Sequence, residues 1–171
     1  MNYIIIALLI VITVIIFYSF TNVFKRVHTN DRLKLHKSKA LVLNCMDFRL
    51  MDDLNRFLDK NGYENNYDDF ILAGSSLGFN QTTYPEWKKT FLKHLELSIQ
   101  LHNIKELVII DHMDCGGYKK FYNKKKLEPD EERKLHHQNL NKMGVYIKQN
   151  FPNLKVNKYL MNLDGSVHII Q

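Results

Sequence analysis

Two kinds of apolar pattern divide this chain. The first 24 positions carry no charged side chain, and Tyr3 to Phe20 is almost wholly Ile, Leu, Val and Phe. A run of that length spans a hydrocarbon core as a helix. A cleaved signal peptide would want a basic start, a shorter apolar stretch and a small-residue cleavage site, none of which is present. No polar stripe marks the run as a buried core helix. It is therefore read as a transmembrane anchor over residues 1–24, followed by a basic juxtamembrane linker over 25–38. Val23 to Ser38 reads as a short linker or a first helix.

From residue 39 onward, short apolar runs alternate with helical periodicity. Ala40 to Asn44 is a buried-type strand, and Leu50 to Asn61 is a helix with Leu50, Leu54, Phe57 and Leu58 on one face. Gly62 ends that helix. Phe70 to Ala73 is a second apolar run, and Ser75 to Tyr84, with Gly78 inside it and Pro85 after it, reads as a loop. Pro85 opens a long helix to about Leu101, buried through Phe91, Leu92, Leu95 and Ile99. Glu106 to Asp111 is the third strand, a helix starts near Gly116, and Leu127 to Asp130 is a surface break. A helix from Glu131 to Asn150 packs through Leu140, Met143 and Ile147. Leu154 to Met161 and Val167 to Ile170 are the last strands, joined by a turn at Asp164-Gly165. Strands alternating with helices predict an α/β fold whose sheet is mainly parallel and flanked by helices. Length allows one such domain with a sizeable core, over residues 39–171.

Charge adds an orientation. No lysine or arginine precedes the apolar span, whereas Lys25, Arg26, Arg32, Lys34, Lys37 and Lys39 follow it. The positive-inside rule then leaves the globular part cytosolic, in a single-pass membrane protein whose anchor meets membrane lipid. The formal charge is +6, but no nucleic-acid-binding motif accompanies it, and no nucleic-acid partner is expected.

The chemistry lies where two apolar runs end. Cys45 closes the first strand, and His112 and Cys115 close the third; these are the chain's only two cysteines. In a parallel sheet the carboxyl ends line up along one edge, where active sites form. Two thiolates and an imidazole are three zinc ligands, and three leave a fourth position open, as in catalytic zinc sites. The plainer readings are two small buried hydrophobes or a disulfide, which a cytosolic compartment disfavours. A phosphatase loop is excluded, because Arg49 follows Cys45 after three spacers rather than five and the loop lacks glycines. Asp47 and Arg49, two apart, point the same way in an extended stretch. His136 falls on the stripe with Leu140 and Met143 and reads as packed or at a core rim. His94 and His102 lie on the long helix, Asp114 supports its loop rather than ligating, and Asp111 caps the loop.

These residues resemble the β-class carbonic anhydrases. The family pattern of cysteine, one residue, aspartate, one residue, arginine is matched by Cys45-Met46-Asp47-Phe48-Arg49, and its histidine–cysteine–glycine pattern by His112-Met113-Asp114-Cys115-Gly116. Ala73-Gly74 resembles the family's alanine–glycine turn, and Asp164-Gly165 its closing hairpin. The resemblance runs from Lys39 to the C-terminus. It implies Zn2+ held by Cys45, His112 and Cys115, and Asp47 paired with Arg49 as the catalytic dyad, with Asp47 as an alternative fourth ligand. It also implies a substrate pocket touching Phe48, Ala73, Gly74 and Gly116, and a homodimer. The activity implied is reversible hydration of carbon dioxide to bicarbonate by a zinc-bound hydroxide. Two departures bear on the pocket: Ile71 and Leu72 stand where the family commonly has arginine and asparagine, and Phe48 where it has a small residue. Two further readings stand beside this one. One is hydrolysis of a related heterocumulene, carbonyl sulfide or carbon disulfide; the other is a catalytically weak, zinc-stabilised scaffold tethered to a membrane.

Overall fold

The computed structural model describes Tyr3–His28 and His36–Gln171. The chain divides into two units, Met1–His36 and Lys37–Gln171. The first contains the helix α1, Tyr3–His28. The expected anchor is corrected here: among the described residues, no helix is long and apolar enough to cross a membrane. The single-pass membrane localisation, its cytosolic orientation and the lipid partner go with it. Residues 29–35 of the expected linker lie outside the described residues.

The second unit is an α/β fold. Its strands are β1 (Ala40–Asn44), β2 (Tyr67–Ile71), β3 (Glu106–His112), β4 (Lys155–Met161) and β5 (Val167–Ile169), in the order β2-β1-β3-β4-β5. The first four run parallel, with Leu43 opposite Phe70 on one side and Ile109 on the other; β5 returns antiparallel to β4. Alternate residues of the central strands serve opposite faces, as the pleat requires. Leu41, Leu43, Leu107 and Ile109 join α4 (Pro85–His102) and α6 (Pro129–Asn150) through Phe91, Leu95, Leu140, Met143 and Ile147. Ala40, Val42, Val108 and Ile110 face α2 (Met51–Lys60) through Leu54 and Leu58. Both faces are covered, which is why β1 and β3 read as unbroken apolar runs.

Three expectations are corrected in this unit. β2 starts at Tyr67 and ends at Ile71, not at Phe70 and Ala73. It is an edge strand and half exposed, and its acidic residues are held laterally rather than buried. Asp68 meets Ser98 and His102 of α4, while Asp69 accepts from Asn44 at 2.7 Å. The expected loop after Ser75 contains a short helix, α3 (Ser76–Asn80), that buries Leu77 and Phe79. Gly78 permits this close packing, since a Cβ there would stand 2.5 Å from the Ala73 carbonyl oxygen. Leu127, expected at a surface break, is buried beside Leu77, Cys115 and Tyr118; the last of these lies on α5 (Gly116–Phe121).

Candidate metal centre

The order β2-β1-β3 makes the carboxyl ends of β1 and β3 a topological switch point, where chain connections leave in opposite directions and open a crevice. Cys45 follows β1 directly, and His112 ends β3. Asp114 then takes a left-handed conformation, φ 58°, and the loop turns Cys115 inward. Sulfurs 70 residues apart in sequence come within 3.9 Å. The donor atoms of Cys45, His112 and Cys115 all lie within 4.8 Å of one another, with His112 and Cys115 buried.

This donor set fits a tetrahedral ion. Two thiolates at about 2.3 Å from one zinc stand about 3.8 Å apart at the tetrahedral angle. His112 is oriented through its other nitrogen, since Nδ1 donates to the Met113 carbonyl at 2.9 Å. That leaves Nε2 buried with no hydrogen-bond partner, an orphan that a ligated cation would satisfy.

Neighbouring groups already favour a negative sulfur on Cys45. Donation from Cys115 lowers the Cys45 thiol to about 4; burial opposes this, while His112 and the Gly74 N–H at 3.3 Å add to it. Cys115, as donor to that thiolate, is pushed upward. Gly74 has φ 76° and Ser75, at φ 45° and ψ −110°, occupies strained backbone. The strain is local to the turn that aims the Gly74 N–H at sulfur. Gly117 packs on that turn: a Cβ there would lie 3.1 Å from Gly74 Cα and 3.5 Å from the Cys115 sulfur. The Gly74 N–H is thus directed at Cys45, while Gly74 itself lines an open cavity.

Asp47 stands over the donors, its Oδ2 3.9 Å from His112 Nε2. Both of its oxygens are occupied by Arg49, through Nε at 3.0 Å and a terminal nitrogen at 2.8 Å. Those bonds hold the carboxyl at about 2, so it is ionised and can only accept. Arg49 also bonds the Asp114 carboxylate at 2.8 Å and its carbonyl at 3.1 Å, and Lys119 pairs with Asp114. Arg49 thereby ties the turn after β1 to the loop after β3, a contact that the spacing of neither motif announces.

Above the donors lies an open cavity of about 510 Å³, lined by Cys45, Asp47, Phe48, Arg49, Ala73, Gly74, Asp114, Gly116 and Lys119 among others. Ile71 and Leu72 are not part of that lining. Leu72 packs on the core and against Gly78, and Ile71 is half exposed on the edge strand. Phe48 is 84% exposed at the cavity mouth. On the other side of Asp47, a void of about 10 Å³ is walled by Leu50, Leu54, Ile110 and Met161.

Beneath the donors is a polar cluster that sequence reasoning missed. Asp111 is buried; its carboxylate accepts from the Ser76 N–H at 3.0 Å, the Ser76 hydroxyl at 2.7 Å, Tyr118 at 2.6 Å and His136 Nδ1 at 2.9 Å. Burial would raise it, yet donation from His136, Tyr118 and Ser76 carries it below the usual carboxylate range. His136 is raised against its burial by Asp111 and Glu132. Glu132 accepts the Cys115 N–H at 2.9 Å. His136 is packed, as its place on the stripe predicts, and its partners are the two carboxylates of Asp111 and Glu132. One signal was present, since Glu132 shares the helical stripe of His136, Leu140 and Met143, where a carboxylate has no apolar reason to be.

The family model described as "Putative carbonic anhydrase" matches residues 35–171. An uncharacterized protein of Rickettsia bellii is 38% identical over 144 residues, covering 83% of this chain and 88% of its own length. One from Rickettsia conorii is 40% identical over 144 residues, covering 83% and 77%. Among solved structures, the Streptococcus mutans carbonic anhydrase superposes with a TM-score of 0.56 at 17% identity, over 91% of this chain and 95% of that one. A tetrameric β-carbonic anhydrase of Sordaria macrospora gives 0.56 at 11% identity, over 94% and 96%. At those identities the structural likeness speaks to the fold, a β-carbonic anhydrase-like α/β sheet, and the family model speaks to descent. By that match the chain belongs to the family of carbonic anhydrase-like proteins.

Proposed function

We propose that this chain is a zinc enzyme that interconverts carbon dioxide and bicarbonate, with Cys45, His112 and Cys115 as the ligands. The observation that carries the reading is one arrangement: two cysteine sulfurs and an imidazole nitrogen within 4.8 Å, with Cys45 lining an open cavity beside an ionised carboxylate clamped by arginine. Zinc bound there would lower the pKa of a water to about 7 and so supply hydroxide near neutrality.

The side chains of the chain do the rest. Asp47 is kept anionic by Arg49, so it takes a hydrogen bond from the attacking oxygen and never donates one, which leaves a lone pair free for attack on carbon. Arg49 holds that carboxylate in place through two of its own bonds and so keeps it on the arginine rather than among the ligands. Phe48, Ala73 and Gly74 line the open cavity through which a small linear molecule would reach the donors. The cavity is open in the single chain and would give substrate and product their passage.

A homodimer belongs to the same reading. β2 is an edge strand with Ile71 half exposed, and Met46 and Phe48 stand exposed at the mouth of the cavity. An unpaired edge beside apolar side chains is the kind of surface a second subunit covers.

The test is stopped-flow carbon dioxide hydration on zinc-loaded protein. Activity should rise from mildly acidic to alkaline pH, and Asp47→Ala should lower it about 10- to 100-fold while zinc content stays at one per chain. Zinc-loaded protein with no hydration at any pH would sink the reading; turnover of carbonyl sulfide or carbon disulfide instead would redirect it to heterocumulene hydrolysis.

A further inference from the structure

α6 places two ionisable side chains where its neighbours are apolar. Glu132 and His136, one turn apart, share a buried face with Leu140 and Met143. His136 is wholly enclosed, with Nδ1 hydrogen-bonded to the Asp111 carboxylate at 2.9 Å and Nε2 3.7 Å from that of Glu132, a charge contact too long for a hydrogen bond. Burying such a set is poor value for stability alone, since well-packed apolar side chains of similar volume often serve as well or better.

The other contacts of the two carboxylates show what the set does. Asp111 directly precedes His112 on β3, and it also holds Ser76 through both the N–H and the hydroxyl. Ser76 follows the Gly74-Ser75 turn, whose Gly74 N–H bonds the Cys45 sulfur. Glu132 accepts the backbone N–H of Cys115. One imidazole on α6 thus joins the segments that bear all three donors. None of the three residues lines the cavity.

We infer that His136, bridging Asp111 and Glu132, is a positioning residue for the metal centre. It sets the spacing of the Cys45, His112 and Cys115 donors, and through that the metal affinity, without touching ion or substrate. This rests on the reading of those three residues as zinc ligands. Without the bridge, the two carboxylates must turn from each other. Turning releases either the Ser76 turn or the Cys115 N–H, and the sulfurs lose their fixed separation.

The experiment uses the purified full chain, with zinc affinity measured by competition against a chromophoric chelator and with cobalt(II) as a spectroscopic probe. His136→Gln should weaken zinc binding about 10- to 100-fold and shift the cobalt d–d and thiolate-to-cobalt charge-transfer bands, at temperatures well below melting. His94→Gln, on the exposed face of α4, should change neither. A folded His136→Gln protein with a lower melting temperature, zinc affinity within twofold of the parent and an unchanged cobalt spectrum would overturn the inference, because a merely structural histidine predicts that result. Should His136→Gln fail to fold, Tyr118→Phe decides: it removes one donor to Asp111 at nearly constant shape. A shifted cobalt spectrum there supports positioning, and an unchanged one overturns it. If the parent chain itself binds neither zinc nor cobalt, the zinc reading fails, and the inference fails with it. If the parent binds and the variants do not differ, the inference alone fails.

Discussion

Asp47 has both oxygens on Arg49, at 3.0 and 2.8 Å, and this pair makes a pH-dependent contribution whose sign is determined by the direction of its shift. The folded carboxyl is held at about 2, below its ordinary 3.8. A depressed value means that the contribution is complete above about pH 4 and is lost as pH falls toward 2. The pair is partly exposed, so its size is about 1 kcal/mol or less. Asp47→Asn should therefore lower the urea midpoint slightly at neutral pH, and the gap from the parent should close between pH 4 and 2. A gap that stays constant through that window would show that the pair adds nothing through its charge. Cys45 makes a larger claim on the same turn. Cys45→Ser should strip the metal and lower the melting temperature of zinc-loaded protein, because metal affinity is linked to folding; equal zinc content in both proteins would remove Cys45 from the ligand set.

Among the elements, the turn after β2 and the start of α5 behave as one piece. Gly117 lies against Gly74, and a Cβ added to it would stand 3.1 Å from the Gly74 Cα, tighter than ordinary contact. Gly117→Ala must push the turn outward by a few tenths of an ångström, and the Gly74 N–H moves with it from the Cys45 sulfur. The expected cost is about 1–3 kcal/mol, read as a lower unfolding midpoint in denaturant, with weaker zinc retention against a chelator. A midpoint and zinc retention both equal to the parent's would show that the two loops are free to separate. Local sequence alone reads α3 as a loop. Its five residues hold a glycine and are followed by Pro85 within a few positions, so local propensity is weak. Burial of Leu77 and Phe79 and the bonds from Ser76 to Asp111 stabilise the turn of helix instead.

For the whole molecule, the open edge of the sheet carries the prediction. The unit Lys37–Gln171 leaves β2 unpaired on one side, so that unit should sediment as a dimer, and replacing exposed Ile71 by lysine should shift it toward monomer. A strictly monomeric parent with full activity would mean that the cavity is completed within one chain. The apolar N-terminal run shows how composition can outrun structure. Read by hydropathy it is a membrane span, yet among the described residues no helix meets the length and apolarity that crossing requires.

Strand runs, helix stripes and the three donors were legible in the sequence because each is a local property. Buried central strands must be continuously apolar, amphipathic helices must repeat near 3.6 residues, and a cysteine or histidine at a strand's end declares its chemistry by type. β2 was legible only in part, since it is an edge strand that carries two aspartates and leaves Asp69 and Ile71 exposed. What the tertiary structure alone decided are the distances: the 3.9 Å between sulfurs 70 residues apart, the span of Arg49 from Asp47 to Asp114, and the bridge of His136 between Asp111 and Glu132. Those depend on the order β2-β1-β3 and on which helix covers which face. No periodicity encodes that order, because it is chosen by how all the apolar faces can be buried at once.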